Sequence, residues 1–230
     1  VEGARTKSGH CGGATPYRGF AAACSSCRAA PPNLSTHRAY GSALIMPAMQ
    51  PWYNARKTAQ VAAFFARRQG GSINVLKLTK LVYIADRRNL EKYDFPITWD
   101  NYVSMDHGPV NAITYDCING MHGGLVDWEE HITDRSGYSV GLAADVGDDD
   151  LDQLSEAEVE TLGEIWGEFG AMTQYQVRDW THANCPEWED PHGSSNPIPL
   201  ARVLKFLGKS DANELESELL AERHVKEIFA

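Results

Sequence analysis

Between Thr181 and Pro199 the chain reads THANCPEWEDPHGSSNPIP, and His182, Cys185, Glu187, Asp190 and His192 there are all reactive types. A cysteine becomes a nucleophile when a nearby imidazole takes its proton, and Cys185 could pair with His182 or the more distant His107. Such a pair needs a third group to orient the base, and the spacing fits no nucleophile motif. His182, Cys185 and His192 also lack the spacing of a zinc site. An ordered loop explains the same residues without catalysis. Pro186, Pro191 and Pro197 restrict it and Trp188 anchors it in apolar surroundings, and long ordered loops on a rigid scaffold often bind partners. A small hydrolase using His182, Cys185 and His107 remains an alternative.

A second cluster lies near the N-terminus. Cys11, Cys24 and Cys27 with His37 (His10 is also close) could supply three thiolates and one imidazole to a tetrahedral zinc ion. Their spacing is irregular and a second close cysteine pair is missing, so no metal or other cofactor is expected. Cys117 and Cys185 are isolated and read as free thiols.

The third stretch is SMDHGPVNAITYDCING, Ser104 to Gly120. Gly108 permits a backbone angle that other residues resist, and Pro109 fixes the next one and fits the first turn of a helix. The expected result is a strand-to-helix corner that aims Asp106 and His107 outward. A phosphate could sit on the helix amides, but the Gly-rich loop and lysine of a nucleotide site are absent. In the fourth stretch, LKLTKLVYIADRRN, Lys77, Lys80 and Arg87 lie close to one helical face. They form a solvated face, pair internally, or offer a binding patch.

The elements that carry these residues read as a mostly helical α+β domain with a small antiparallel hairpin or sheet. Asn54 caps a helix over 55–69 that ends at Gly70-Gly71, with Val61, Phe64 and Phe65 on its apolar stripe. A second helix covers about 74–92, and Pro96 lies beyond it. Thr98 to Met105 is a strand or extended loop, and Asn111 to Met121 a helix. Leu125–Ile132 and Tyr138–Leu142 alternate as a β-hairpin. Asp145–Asp152 is an acidic linker. Ser155 opens a helix through a capping box with Glu158. Short helices over Thr173–Thr181 and Leu200–Leu207 follow, then a last helix from Ser210 with Leu215, Leu219 and Ile228 inward and Glu222–Lys226 paired outward.

The chain has 230 residues and a net charge of −10. Residues 1–45 hold five basic residues and one acid, so the remainder carries 16 basic and 30 acidic residues, a net of −14. That body repels nucleic acid and anionic lipid, and it suits a basic partner as well as a solvated acidic surface. No window approaches the ~18 consecutive apolar residues of a membrane helix, so the chain reads as soluble and cytoplasmic. Residues 1–45 are rich in Gly, Ala, Ser and Arg without hydrophobic period. They read as a disordered extension, or as upstream of a true start at Met46 or Met49, with one domain over 50–230.

The order Leu76-Lys77-Leu78-Thr79-Lys80-Leu81-Val82-Tyr83, then Gly108-Pro109-Val110, then Thr181-His182 and Pro186-Glu187-Trp188, resembles the Panacea domain family. These are antitoxins related to SocA and to phage-associated GepA-like proteins, and the likeness runs from about Asn54 to about Ala230. It is nearest to the branch carrying ADRRNLEKY…PIT, SM…HGPV, ING and PEWEDPHGSS. The resemblance implies an antitoxin that binds a toxin encoded nearby, with no catalytic residues. It also allows an adaptor that delivers the toxin to a ClpXP-type AAA+ protease. Some relatives carry a DNA-binding module, and no helix-turn-helix is found here, so direct nucleic-acid binding is not expected. Family motif positions on this chain are Lys77, Lys80, Tyr83, Gly108, Pro109, Val110, His182 and Trp188. With Arg87, Asp106, His107 and Glu187 added and Val110 left to the fold, these make the expected partner-binding set.

Overall fold

The computed structural model describes residues 50, 52–121, 126–143, 145–147 and 150–229. The zinc candidates Cys11, Cys24, Cys27 and His37, with His10, lie outside the described residues, as does the Gly- and Arg-rich leader.

Helix α1 (Ala55–Arg68) is capped by Asn54, whose side chain accepts from the Lys57 amide. Its middle is buried on every side from Thr58 to Ala66, which the small Ala59, Ala62, Ala63 and Ala66 allow. Strand β1 (Ser72–Asn74) leads into α2 (Val75–Tyr93), where Asn74 accepts from the Leu76 and Lys77 amides. Helix α2 is the axis of the fold. It packs against α1, α5, α6 and β3, so apolar side chains cover most of its circumference. It stops before Pro96, at Asp94, which adopts φ 69°.

Two small antiparallel sheets flank this axis. Strand β2 (Tyr102–Met105) pairs with β3 (Gly108–Asn111) on one side and with β5 (Asn196–Ile198) on the other. Gly-Pro therefore stands inside a strand, not in the first helical turn, and Asp106-His107 is the tip of a β-hairpin. Helix α3 (Ala112–Ile118) begins only after Asn111. The carboxylate of Asp100 accepts from the amides of Ile113 and Thr114 at 2.9 and 2.8 Å. Those helix amides are thereby occupied from within, which removes the phosphate alternative.

The expected hairpin over 125–142 is replaced by a short helix, α4 (Val126–Glu129), and by β4 (Ser139–Gly141), which pairs with β1. Isolated bridges Ile132↔Leu142 and Ser136↔Ser139 bend the segment between them. Trp128 and Ile132 fill the core from α4 and the turn after it, so their spacing served packing and not a pleat.

The acidic linker is also tied down. Val146 and Leu151 are buried, and Gln60 donates to Asp152 at 2.6 Å while accepting from the Gln153 amide at 2.9 Å. Helices α5 (Glu156–Phe169) and α6 (Gln174–Asn184) both open with capping boxes, Ser155/Glu158 and Thr173/Gln176. After β5 come α7 (Leu200–Phe206) and α8 (Ala212–Phe229). Leu219 is buried, whereas Ile228 is exposed, contrary to its expected inward place. The Glu222–Lys226 pair is present at 3.3 Å.

Candidate partner-binding site

Two buried carboxylates hold the frame of the site. Asp86, on the apolar side of α2, accepts from the amides of Ile97 and Thr98, from Asn111 Nδ2, from Tyr102 Oη and from Thr98 Oγ1. Asp100 accepts from Asn101, Ile113 and Thr114. Burial pushes both carboxyls up, Asp100 to about 6, against the pull of these donors. Arg223 of α8 closes the frame from outside. It donates to the carbonyls of Trp99 and Asp100 at 2.8 and 2.6 Å and to Asn101 Oδ1 at 3.0 Å.

On this frame α2, the β2–β3 hairpin and the loop after α6 converge. Glu187 is fully buried, and one of its oxygens accepts from both Tyr83 Oη and Arg87 Nε, each at 2.7 Å. Burial works against the Arg87 charge, but Glu187 more than offsets it, so the guanidinium pKa lies above its ordinary value. The same burial, with Glu187 beside it, pushes the Tyr83 phenol well up. Trp188 is half-buried. It stacks on His182 with ring centroids 4.1 Å apart and planes 7° from parallel, and its Nε1 donates to the Met105 carbonyl at 2.9 Å. Glu189 N donates to Ser104 Oγ, and Gly193 N to Asp106 Oδ1 at 2.8 Å. The loop is thus fastened along the hairpin at three points.

Gly108 explains how closely these parts meet. Its φ is +98°, and a Cβ there would stand 2.9 Å from Thr181 Oγ1 and 3.2 Å from the His182 ring. The missing side chain lets α6 press against β3. Lys80 completes the contact: its Nζ donates to the Pro109 carbonyl at 2.7 Å, satisfying an acceptor on the outer strand of the sheet. Lys80 is 1% exposed, and burial lowers its pKa to about 7. Lys77 is buried as well and donates to Gln69 Oε1 and the Gly170 carbonyl, both at 2.7 Å. The solvated-face reading of these lysines is therefore wrong. Their ammonium groups are turned onto carbonyl oxygens by the packing of α5 and α6 around α2.

Beside the hairpin lies a cavity of about 520 Å³, lined by Val75, Thr79, Lys80, Met105, Asp106, His107, Tyr115, Tyr138 and Tyr175 among others. Asp106 and His107 are exposed at its edge. Of the expected set, Lys80, Tyr83, Arg87, Gly108, Pro109, His182, Glu187 and Trp188 come together in one assembly next to it. Lys77 sits apart, toward α5.

The thiol reading fails on burial. Cys185 is completely enclosed and its thiol is pushed up to about 12, first by desolvation and then by Glu187. It is protonated near neutral pH and out of reach of a substrate. Burial and the nearby Lys80 and Arg178 hold the His182 imidazole below its usual value. Asp190 and His192 form an exposed turn in which the His192 amide donates to Asp190 at 2.8 Å. Among the described residues no group of three or more His, Cys, Asp or Glu side chains is placed to hold a metal ion.

Sequence reasoning missed Asp86, Asp100, Arg223 and the tyrosines around the cavity. Asp86 carried a signal, a lone acid among apolar neighbours such as Val82, Ala85 and Leu90 on α2. Asp100 and Arg223 carried none: Asp100 is held mainly by groups at the start of α3, 13 and 14 positions on, and Arg223 by carbonyls 123 and 124 positions back.

Residues 78–189 match the family described as Antitoxin SocA-like, Panacea domain. Over that stretch the chain is similar to this antitoxin family. The match starts within α2 and ends at Glu189, so it encloses the whole assembly around Glu187. No curated protein and no solved structure matches the chain. Among the described residues no helix is long and apolar enough to cross a membrane.

Proposed function

We propose that this protein is the antitoxin of a toxin–antitoxin pair and neutralises a toxin encoded nearby by direct binding in the cytoplasm, without catalysis. The observation that carries the reading is the family match over 78–189, whose characteristic residues gather beside one cavity. The buried members, Lys80, Tyr83, Gly108, Pro109 and Glu187, act by fixing the hairpin and the Trp188 loop. Contact with the toxin falls to Asp106, His107 and the walls of the cavity, together with the partly exposed Arg87, His182 and Trp188. A surface fixed before the partner arrives loses little conformational freedom on docking. The net charge of −14 beyond residue 45 draws in a basic toxin and speeds its encounter.

The test is co-expression with the neighbouring small reading frame. That frame is expected to arrest growth alone and to be harmless beside this chain. A frame that is innocuous alone, or toxic in both settings, refutes the reading. Measuring toxin half-life in the same cells separates sequestration, with a stable toxin, from delivery to a protease.

A further inference from the structure

Helix α8 is joined to the rest of the chain by little apolar contact. Of its 18 residues Leu219 is buried, while Leu220 and Val225 are about half exposed and Ile228 and Phe229 more so. Its main neighbour is α7. The turn between the two is pinned to the C-terminal end of α2, where Lys209 Nζ reaches the Glu91 carbonyl at 2.9 Å and Asp94 Oδ1 at 2.6 Å. Gly208, one position earlier, has φ +80° and nothing within 4 Å of an added Cβ, which is the freedom a pivot needs. Two cations hold the far half of α8. Arg223 donates to the carbonyls of Trp99 and Asp100 and to Asn101 Oδ1, and its guanidinium lies 5.7 Å from the centre of the Trp52 ring. Lys226 Nζ stands 3.5 Å over the Trp99 ring. Trp99 is buried and holds φ +57°, a costly angle for a bulky side chain.

We infer that α8 is a strap that swings away from the body as a unit, far more readily than the domain unfolds, with Arg223 and Lys226 as its latch and Trp99 as the surface it covers. The balance of contacts favours this. Opening loses the burial of Leu219, the bond from the Ala201 amide to Glu216 Oε1 at 2.9 Å, and the latch. Each polar bond lost is replaced by one to water, so its net cost is small. Burial also opposes the Arg223 charge and lowers its pKa, so release returns hydration to the guanidinium. Relaxation of the Trp99 backbone offsets part of the remainder. The frame beneath is held from inside, because Asp86 and Asp100 accept from donors of their own at Ile97, Thr98, Ile113 and Thr114. The open state therefore presents the Trp99 ring and the carbonyls of Trp99 and Asp100 on an intact frame. The strap lies beyond the residues 78–189 that match the antitoxin family, so it gates this surface from outside the matched region.

Hydrogen exchange of the full chain, read by mass spectrometry, tests the strap. The amides of α8 are expected to exchange about a hundredfold or more faster than the buried amides of α2. Arg223→Ala should speed α8 by about a further tenfold and raise hydroxyl-radical labelling of Trp99. Should that variant not fold, Lys226→Ala carries the test with a smaller rise in α8 exchange, because it leaves the hydrogen bonds of Arg223 in place. Ile165→Val is the control that separates a strap from a merely structural helix. It opens a small cavity in the core at α5, so it should speed exchange in α2 several-fold and leave α8 unchanged. A helix that opens only when the whole domain unfolds would follow α2 in that variant. Exchange of α8 at the α2 rate, acceleration of both helices by Ile165→Val, an α8 unmoved in either latch variant, or unchanged labelling of Trp99 in Arg223→Ala overturns the strap.

Discussion

Gly108→Ala tests the claim that the hairpin, α6 and the Trp188 loop meet through a missing side chain. Two separate costs arise. At φ +98° an alanine is strained by about 1–2 kcal/mol. Its Cβ would also lie 2.9 Å from Thr181 Oγ1 and 3.2 Å from the His182 ring. Thr181 cannot simply rotate away, because its hydroxyl donates to the Arg178 carbonyl at 2.7 Å. His182 is held by its stack on Trp188. Overpacking of this kind costs about 1–3 kcal/mol. The total is about 2–5 kcal/mol, a large share of the ~5–15 kcal/mol that usually separates folded from unfolded domains. Gly193→Ala is the control, with φ +83° and nothing within 4 Å of the added carbon, so only the backbone strain remains. Urea unfolding followed by tryptophan fluorescence should show a lower midpoint for Gly108→Ala at unchanged slope. The near-UV circular dichroism of Trp188 should change in that variant alone. Equal midpoints for the two variants would refute the steric argument.

Asp86→Ala removes the acceptor for five buried donors; at ~1–3 kcal/mol for each group left unpaired the domain should not accumulate in soluble form, while Asp86→Asn is recovered with a lowered midpoint. Arg87→Ala leaves the buried Glu187 without its cation and should cost about 3–5 kcal/mol in urea unfolding, with a smaller combined loss when Glu187→Ala is added. Because Asp100 has its carboxyl raised from 3.8 to about 6, the folded chain holds its proton longer than the unfolded chain does. Its contribution to stability is complete below pH 3.8 and is lost as pH rises through about 6, so the fall measured by urea midpoints over this window should be shallower in Asp100→Asn. A parallel fall in both proteins would contradict the assignment.

Local chemistry made much of the scaffold readable. Asn54, Ser155 and Thr173 start helices where their side chains can accept from the first turn, and the structure has all three bonds. The order of the Lys80, Gly108-Pro109 and Glu187-Trp188 segments pointed to the assembly they form. What failed was whatever depended on distant partners. Val126, Trp128 and Ile132 have the period of a strand, but the core offered Trp128 a pocket that a short helix reaches. Pro109 suits a helix start, yet the pairing of Ser104 with Pro109 drew it into a strand. Lys77 and Lys80 carry the formal charge of surface residues, and only the carbonyls of Gly170 and Pro109, from other parts of the chain, show why they are inside. The cavity itself joins Lys80, His107, Tyr138 and Tyr175, residues that no local pattern relates.

Arg223 reaches the Trp99 carbonyl across 124 positions of sequence. On the ribosome, the carbonyls of Trp99 and Asp100 therefore wait, open to water, until α8 has been made as far as Arg223. The hairpin that grows from these residues acquires its final support late. Nascent chains interrupted before that point would carry the cavity's residues without the brace that sets their positions.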